Sequence, residues 1–183
     1  MITRSEYSQA QQIAKNLIKK TGVFIREMEF DQIAVADFGL GDLKNYGAQI
    51  LTLVNTEKFA AKLIAMHPFQ ILPEHWHPKI GKYKGKEEIL RVEWGELYMY
   101  SPGIACPNPK AKIPQERKKY FKFWNETIMI PGDMLTFPPL TPHWFQAGPD
   151  GVVVWSFSTQ VLDLKDEFTD PMIIRKTIIN EDE

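Results

Sequence analysis

With 183 residues, the chain is long enough to bury a substantial core without disulfides and reads as one domain. Its 22 basic and 23 acidic side chains leave a net charge of −1, which excludes a global bias toward nucleic acid or an anionic membrane and suits a small polar ligand. A lone cysteine, Cys106, excludes an intramolecular bridge; in the loop-like run 102–107 it reads as an incidental free thiol of a reducing compartment.

The first residues lack the basic-then-apolar pattern of a signal peptide, and no apolar run approaches the roughly 18 residues that span a bilayer, so a cytoplasmic location is expected. Thr3 and Glu6 have the spacing of a capping box. Tyr7, Ala10, Ile13, Ala14, Leu17 and Ile18 then recur at helical spacing until Lys19, Lys20 and Gly22 supply a basic last turn and a stop. Residues 1–46 are accordingly read as a helical extension. From about residue 47 the pattern changes to short β-rich runs broken by Gly, Pro, Asn and Asp, the mark of a sandwich or barrel over 47–160, followed by a C-terminal segment, 161–183.

The expected strands are Ala48 to Val54, Ala60 to Met66, Glu88 to Glu93, Glu96 to Tyr100, Thr127 to Ile130, Met134 to Phe137, His143 to Ala147 and Val152 to Ser158, with a hairpin turn at Trp94-Gly95. The basic, aromatic stretch from Lys110 to Lys122 reads as a solvated excursion rather than a polyanion site, and the tail from Asn180 to Glu183 as frayed.

The chemistry concentrates in two stretches. In Pro73-Glu74-His75-Trp76-His77 the two histidines are two apart, so an extended strand points both imidazoles to one face. Glu88 follows across a Lys/Gly-rich gap, six intervening residues before Gly95. The second stretch, Pro131-Gly132-Asp133 and Pro138-Pro139, leads to His143. Three nitrogens and one hard oxygen suit manganese, zinc, iron, nickel or cobalt, with positions left open for water or substrate. The neighbouring Glu87 competes with Glu88, but the spacing to Gly95 favours Glu88. His67, before Pro68, reads as structural.

These motifs resemble those of the cupin superfamily: His-x-His, a spacer, Glu, six residues and Gly, then Pro-Gly-Asp, a proline and His. The resemblance implies an all-β fold, a double-stranded β-helix or jelly-roll barrel, here with an N-terminal α-helix. Two departures lie outside the ligands, a longer spacer between His77 and Glu88 and Ala147 where asparagine is common. Within the superfamily, the segments Asp37 to Gly41, Val54 to Thr56, Pro73 to Pro78, Gly85 to Glu88, His143 to Gly148 and Phe168 to Pro171 are similar to the D-lyxose isomerase family over almost the whole length. This implies a homodimeric, manganese-dependent aldose-ketose isomerase that acts on D-lyxose and D-xylulose, with weaker action on D-mannose and D-fructose. His75, His77, Glu88 and His143 would be the metal ligands and Lys62 the active-site lysine.

The family resemblance also calls for a glutamate where this chain has Ser156, which leaves the proton-moving base open. Glu93 and Glu74 sit at offsets that alternate away from the metal. Asp170 is a candidate to close over the barrel mouth, and Ser156 to bind a sugar hydroxyl. Trp76, Trp144 and Trp155 are candidates to stack on a sugar, against the commoner role of core aromatics. Two other readings share the metal site: a non-catalytic sugar-binding cupin and a cupin dioxygenase.

Overall fold

The computed structural model describes residues 1–181. A two-residue strand β1 (Ile2–Thr3) leads into helix α1 (Arg4–Lys20). The capping box forms: the Glu6 backbone N–H donates to Thr3 Oγ1 (3.1 Å), and the Thr3 N–H donates to the Glu6 carboxylate (2.8 Å). A short helix α2 (Glu27–Phe30) and strand β2 (Ala34–Ala36) follow. The remaining strands are β3 (Ala48–Asn55), β4 (Ala60–Met66), β5 (Ile71–Trp76), β6 (Glu88–Ser101), β7 (Asn125–Met129), β8 (Met134–Phe137), β9 (His143–Ser158), β10 (Glu167–Phe168) and β11 (Ile179–Asn180).

Nine of these strands form one curled sheet, in which β2, β3, β4, β9, β5 and β10 are successive neighbours and β6 joins β7, β8 and β9. Alternation divides β4 between two environments. Leu63 and Ala65 face outward under Ala14, Leu17 and Ile18 of α1, whereas Ile64 and Met66 face the barrel interior with Leu90, Val92, Val152 and Val154. Both faces of β4 are therefore covered, and every residue of it is buried.

The hairpin expected at Trp94-Gly95 is not formed. Strand β6 runs straight through it for 14 residues, and β9 likewise joins the two strands expected between His143 and Ser158. Pairing slips on either side of Trp94-Gly95, so these residues are a corner in a continuous strand. Gly95 has φ +78°, and a Cβ there would lie 2.1 Å from the carbonyl oxygen of Gly151. A positive-φ glycine serves a turn and a bulge equally well, and only the partner strand decides between them. Strands β2 and β5, which short length and an embedded proline concealed, and the two-residue β10 complete the sheet.

The excursion before β7 keeps its lysines exposed but buries Phe121 and anchors itself through Lys112, whose N–H donates to Gln146 (2.8 Å). The tail is more ordered than expected. Asn180 belongs to β11, parallel to β1, and Glu181 pairs with Arg4 (2.7 Å), whereas Asp182 and Glu183 lie outside the described residues.

Candidate metal centre and active site

Three chain segments meet at one end of the barrel. His75 on β5 lies opposite His143, the first residue of β9; His77 follows β5 by one residue, and Glu88 opens β6. All four are buried, and a coordinating atom from each of the three imidazoles lies within 4.8 Å of the others. Glu88 Oε2 stands 3.1 Å from His77 Nε2 and 3.9 Å from His143 Nε2.

The far side of each ring is held. His75 Nδ1 faces the carbonyl of Pro73 and His143 Nδ1 that of Thr141, each at 2.9 Å, and His77 Nδ1 faces Asp166 Oδ1 at 2.7 Å. A carbonyl or carboxylate oxygen only accepts, so His75 and His143 carry the proton on Nδ1 and leave the Nε2 lone pair free, whereas His77 has a carboxylate at each nitrogen, Asp166 at Nδ1 and Glu88 at Nε2. This is the arrangement that fixes the tautomer of metal-binding histidines. Phe137 stacks on His143 (4.4 Å between centroids) and Phe168 on His75 (5.6 Å), which fixes the ring planes.

The electrostatics favour a cation here. Burial, with the neighbouring His143 and His77, pushes His75 well below the usual imidazole range, and burial beside His77 brings His143 down to about 4, so both imidazoles are neutral near pH 7. Burial also opposes charge on His77, but Asp166 and Glu88 outweigh it and raise that imidazole. Burial would raise Glu88; Lys86 and the imidazoles instead hold its carboxyl well below the usual range. An ionised carboxylate among convergent imidazole lone pairs fits a divalent ion with mixed nitrogen and oxygen donors.

Beside this set lies a cavity of about 430 Å³, its open mouth included, lined by Lys62, Lys86, Asp163, Arg175, Phe38 and Phe168 among others. Lys62 lies in the middle of β4, paired across to Ser156. Its ammonium is buried and ion-paired with Asp163; burial lowers its pKa, and Asp163 offsets only part of that. Lys86 donates to Glu88 Oε1 (3.2 Å) and lies 3.6 Å from Asp163 Oδ1.

The competing glutamate is exposed: Glu87 points out while Glu88 points in. Ser156 donates its hydroxyl to Glu88 Oε1, so it braces the carboxylate where a role toward sugar was expected. Asp170 departs from its expected place. It is ion-paired with Arg117, accepts from the Met172 N–H (2.9 Å) and does not line the cavity, because an Asp before Pro is used to shape its own turn. Glu74 clamps the N–H groups of Lys122 (2.7 Å) and Phe123 (3.1 Å), and Glu93 pairs with Arg91. Trp144 is fully buried and stacked on Tyr100 at 3.9 Å, Trp155 stacks on Phe157, and Trp76 faces away from the cavity lining. His67 reaches the Ala10 carbonyl of α1 (3.4 Å), a structural contact.

Lys86, Asp163, Asp166 and Arg175 were not anticipated. Lys86 was within reach, since it stands two residues before Glu88 in the stretch that leads into β6. The other three come from the segment after β9, where no periodicity marks them.

No family model matches the chain. A D-lyxose ketol-isomerase of Thermofilum sp. (strain ex4484_79) is 47% identical over 175 residues, covering 96% of this chain and 97% of that protein. The chain belongs to the D-lyxose ketol-isomerase family. A family member from Cohnella laeviribosi is 37% identical over 98% of both chains, and a D-lyxose/D-mannose isomerase of Thermosediminibacter oceani is 40% identical over 96% of this chain and 97% of its own. Among solved structures, L-ribose isomerases of Acinetobacter sp. DL28, with L-ribose bound, and of Cellulomonas parahominis superpose with TM-scores of 0.81 and 0.80. Each covers 98% of both chains at 20% and 18% identity, so they establish the shared cupin fold of this ketol-isomerase.

Proposed function

We propose that this protein interconverts D-lyxose and D-xylulose, and more slowly D-mannose and D-fructose, using a manganese ion held by His75, His77, Glu88 and His143, as a cytoplasmic homodimer. The observation that carries this reading is the buried set of three imidazoles and one carboxylate opening onto a cavity lined by two lysines. The sugar assignment is supported by the activities for which relatives that match along nearly the whole chain are named.

Isomerisation moves a proton between carbon 1 and carbon 2 through an enediol. A divalent ion supplies Lewis acidity toward the carbonyl, lowering the barrier by roughly several kcal/mol. Lys62, in the cavity lining, would hold the developing enediolate oxygen, a role supported by its lowered pKa, which brings it closer to donating a proton at working pH. Lys86 keeps Glu88 ionised and in place. Phe38 and Phe168 wall the cavity and exclude water from the reacting carbons.

One observation favours a second reading, a sugar-binding cupin without turnover: Ser156 stands where the family resemblance calls for a glutamate. A single assay separates the two. Protein stripped with EDTA and reloaded with manganese is expected to convert D-lyxose to D-xylulose, followed by NMR, with the stripped protein at least roughly 10³-fold slower. Sugar binding without conversion would establish the second reading.

A further inference from the structure

We propose that Asp163, carried on the segment that follows β9, is the carboxylate that moves the proton between carbon 1 and carbon 2; this rests on the isomerase reading.

Three carboxylates line the cavity: Glu88, Asp163 and Asp166. Glu88 is committed on both oxygens, Oε1 to Ser156 and Lys86 and Oε2 to the imidazoles. Asp166 is committed to His77. Asp163 is different. Its Oδ2 takes Lys62 and Arg175, while Oδ1 is buried with only the Lys86 ammonium nearby, 3.6 Å away, and no hydrogen-bond donor in reach. A buried acceptor without a hydrogen-bond donor is costly, and a bound group that donates to it recovers that cost.

Its surroundings suit the reaction. Lys62, Lys86 and Arg175 overcome the effect of burial and hold Asp163 ionised, down to about 2, and ready to accept a proton at neutral pH. The same cations weaken it as a base. Coupling to Lys62 offsets this, because an ammonium that gives its proton to a sugar oxygen no longer opposes proton uptake by the carboxylate it touches.

The step balances without an oxidant. Asp163 takes the proton from carbon 2; the C2–H pair becomes the C1=C2 bond and the carbonyl pair moves to O1. Lys62 protonates O1 and recovers a proton from the C2 hydroxyl. Asp163 then returns its proton to carbon 1, the C1=C2 pair forms the new C1–H bond, and the O2 lone pair closes the ketone.

The test uses manganese-loaded protein, wild type, Asp163→Asn and Asp163→Glu, with D-lyxose deuterated at carbon 2. Wild type is expected to convert the sugar and clear the label from carbon 2, carrying it to carbon 1 or exchanging it while it sits on the carboxylate. Asp163→Asn should lose roughly 10³-fold in kcat and retain the label, with sugar affinity by calorimetry within about fivefold of wild type. Asp163→Glu should recover roughly 10- to 100-fold of that loss and stay about 10- to 100-fold below wild type, which a purely structural carboxylate bridge would not produce; should the Asn variant not fold, a Glu variant slowed by that amount at unchanged KM supports the same assignment. The assignment is overturned by an Asn variant with kcat within about threefold of wild type, by losses confined to sugar binding, or by a folded Glu variant with unchanged kcat. A wild type that converts no aldose overturns it together with the isomerase reading, whereas an active wild type with an equally active Asn variant overturns Asp163 alone.

Discussion

Inside the barrel, two residues along a strand separate charge from hydrocarbon. On β4 the inward positions run Lys62, Ile64, Met66; on β6, Glu88, Leu90, Val92; on β9, Ser156, Val154, Val152. The register sets Lys62 beside Ser156 and Leu90, and Ile64 beside Val154 and Val92, while Glu88 pairs with Ser158 one step nearer the barrel mouth; the charged end is thus staggered over an apolar layer. The apolar rungs bury surface without an unmet polar group, the condition for a core that stabilises. The charged rung does the opposite: it concentrates lysines, carboxylates and imidazoles away from water and leaves one carboxylate oxygen open. Such a rung persists because the apolar layers beneath it carry the fold, the usual division between stability and activity.

Removing charge from the upper rung should have the largest effect on function. Glu88→Gln is expected to lower kcat/KM by roughly 10³-fold or more, about 4 kcal/mol of barrier, and to weaken metal uptake measured by elemental analysis, while the protein stays folded by circular dichroism. A variant that keeps metal and activity would break the division at its upper end. In the apolar half, Met99 is fully buried in the same core, and Met99→Ala should cost about 2–5 kcal/mol in urea unfolding with kcat nearly unchanged. Equal losses of stability from both substitutions would show that the two halves are one.

The smallest effect is that of pH on the metal-free protein. His143, brought down to about 4, resists protonation when folded but takes a proton near 6.5 when unfolded, so its contribution to stability falls as pH drops from 6.5 toward 4. The slope is at most about 1.4 kcal/mol per pH unit for this one group. His75, also depressed, acts in the same sense, and Glu88 adds to the loss below its unfolded value of 4.5. His77 is raised and works in the other direction, its contribution being present below 6.5 and lost as pH rises through its folded value. Urea unfolding in EDTA at pH 5 and 7 measures the sum. A higher stability at pH 5 would mean that the His77 pairings dominate the site.

The sequence by itself determined the parts whose signal is local. Thr3 and Glu6 specify the helix start through contacts three residues apart, and the alternation of His75 with His77 specifies one face before any partner strand is known. The spacing of Glu88 from Gly95 picked the buried glutamate over its exposed neighbour, although Gly95 itself was misread as a turn. Family likeness added Lys62, whose residue type on a strand carries no signal of its own. Tertiary structure alone decided the rest. Whether β6 turns or continues at Gly95 depends on Gly151, 56 positions away, whose carbonyl occupies the space a side chain would need. The approach of Asp163 and Asp166 to Lys62 and His77 depends on how the segment after β9 crosses the barrel mouth. Contacts across 101 and 89 positions leave no periodic trace in the chain, because they are made by packing and charge, not by backbone repeat.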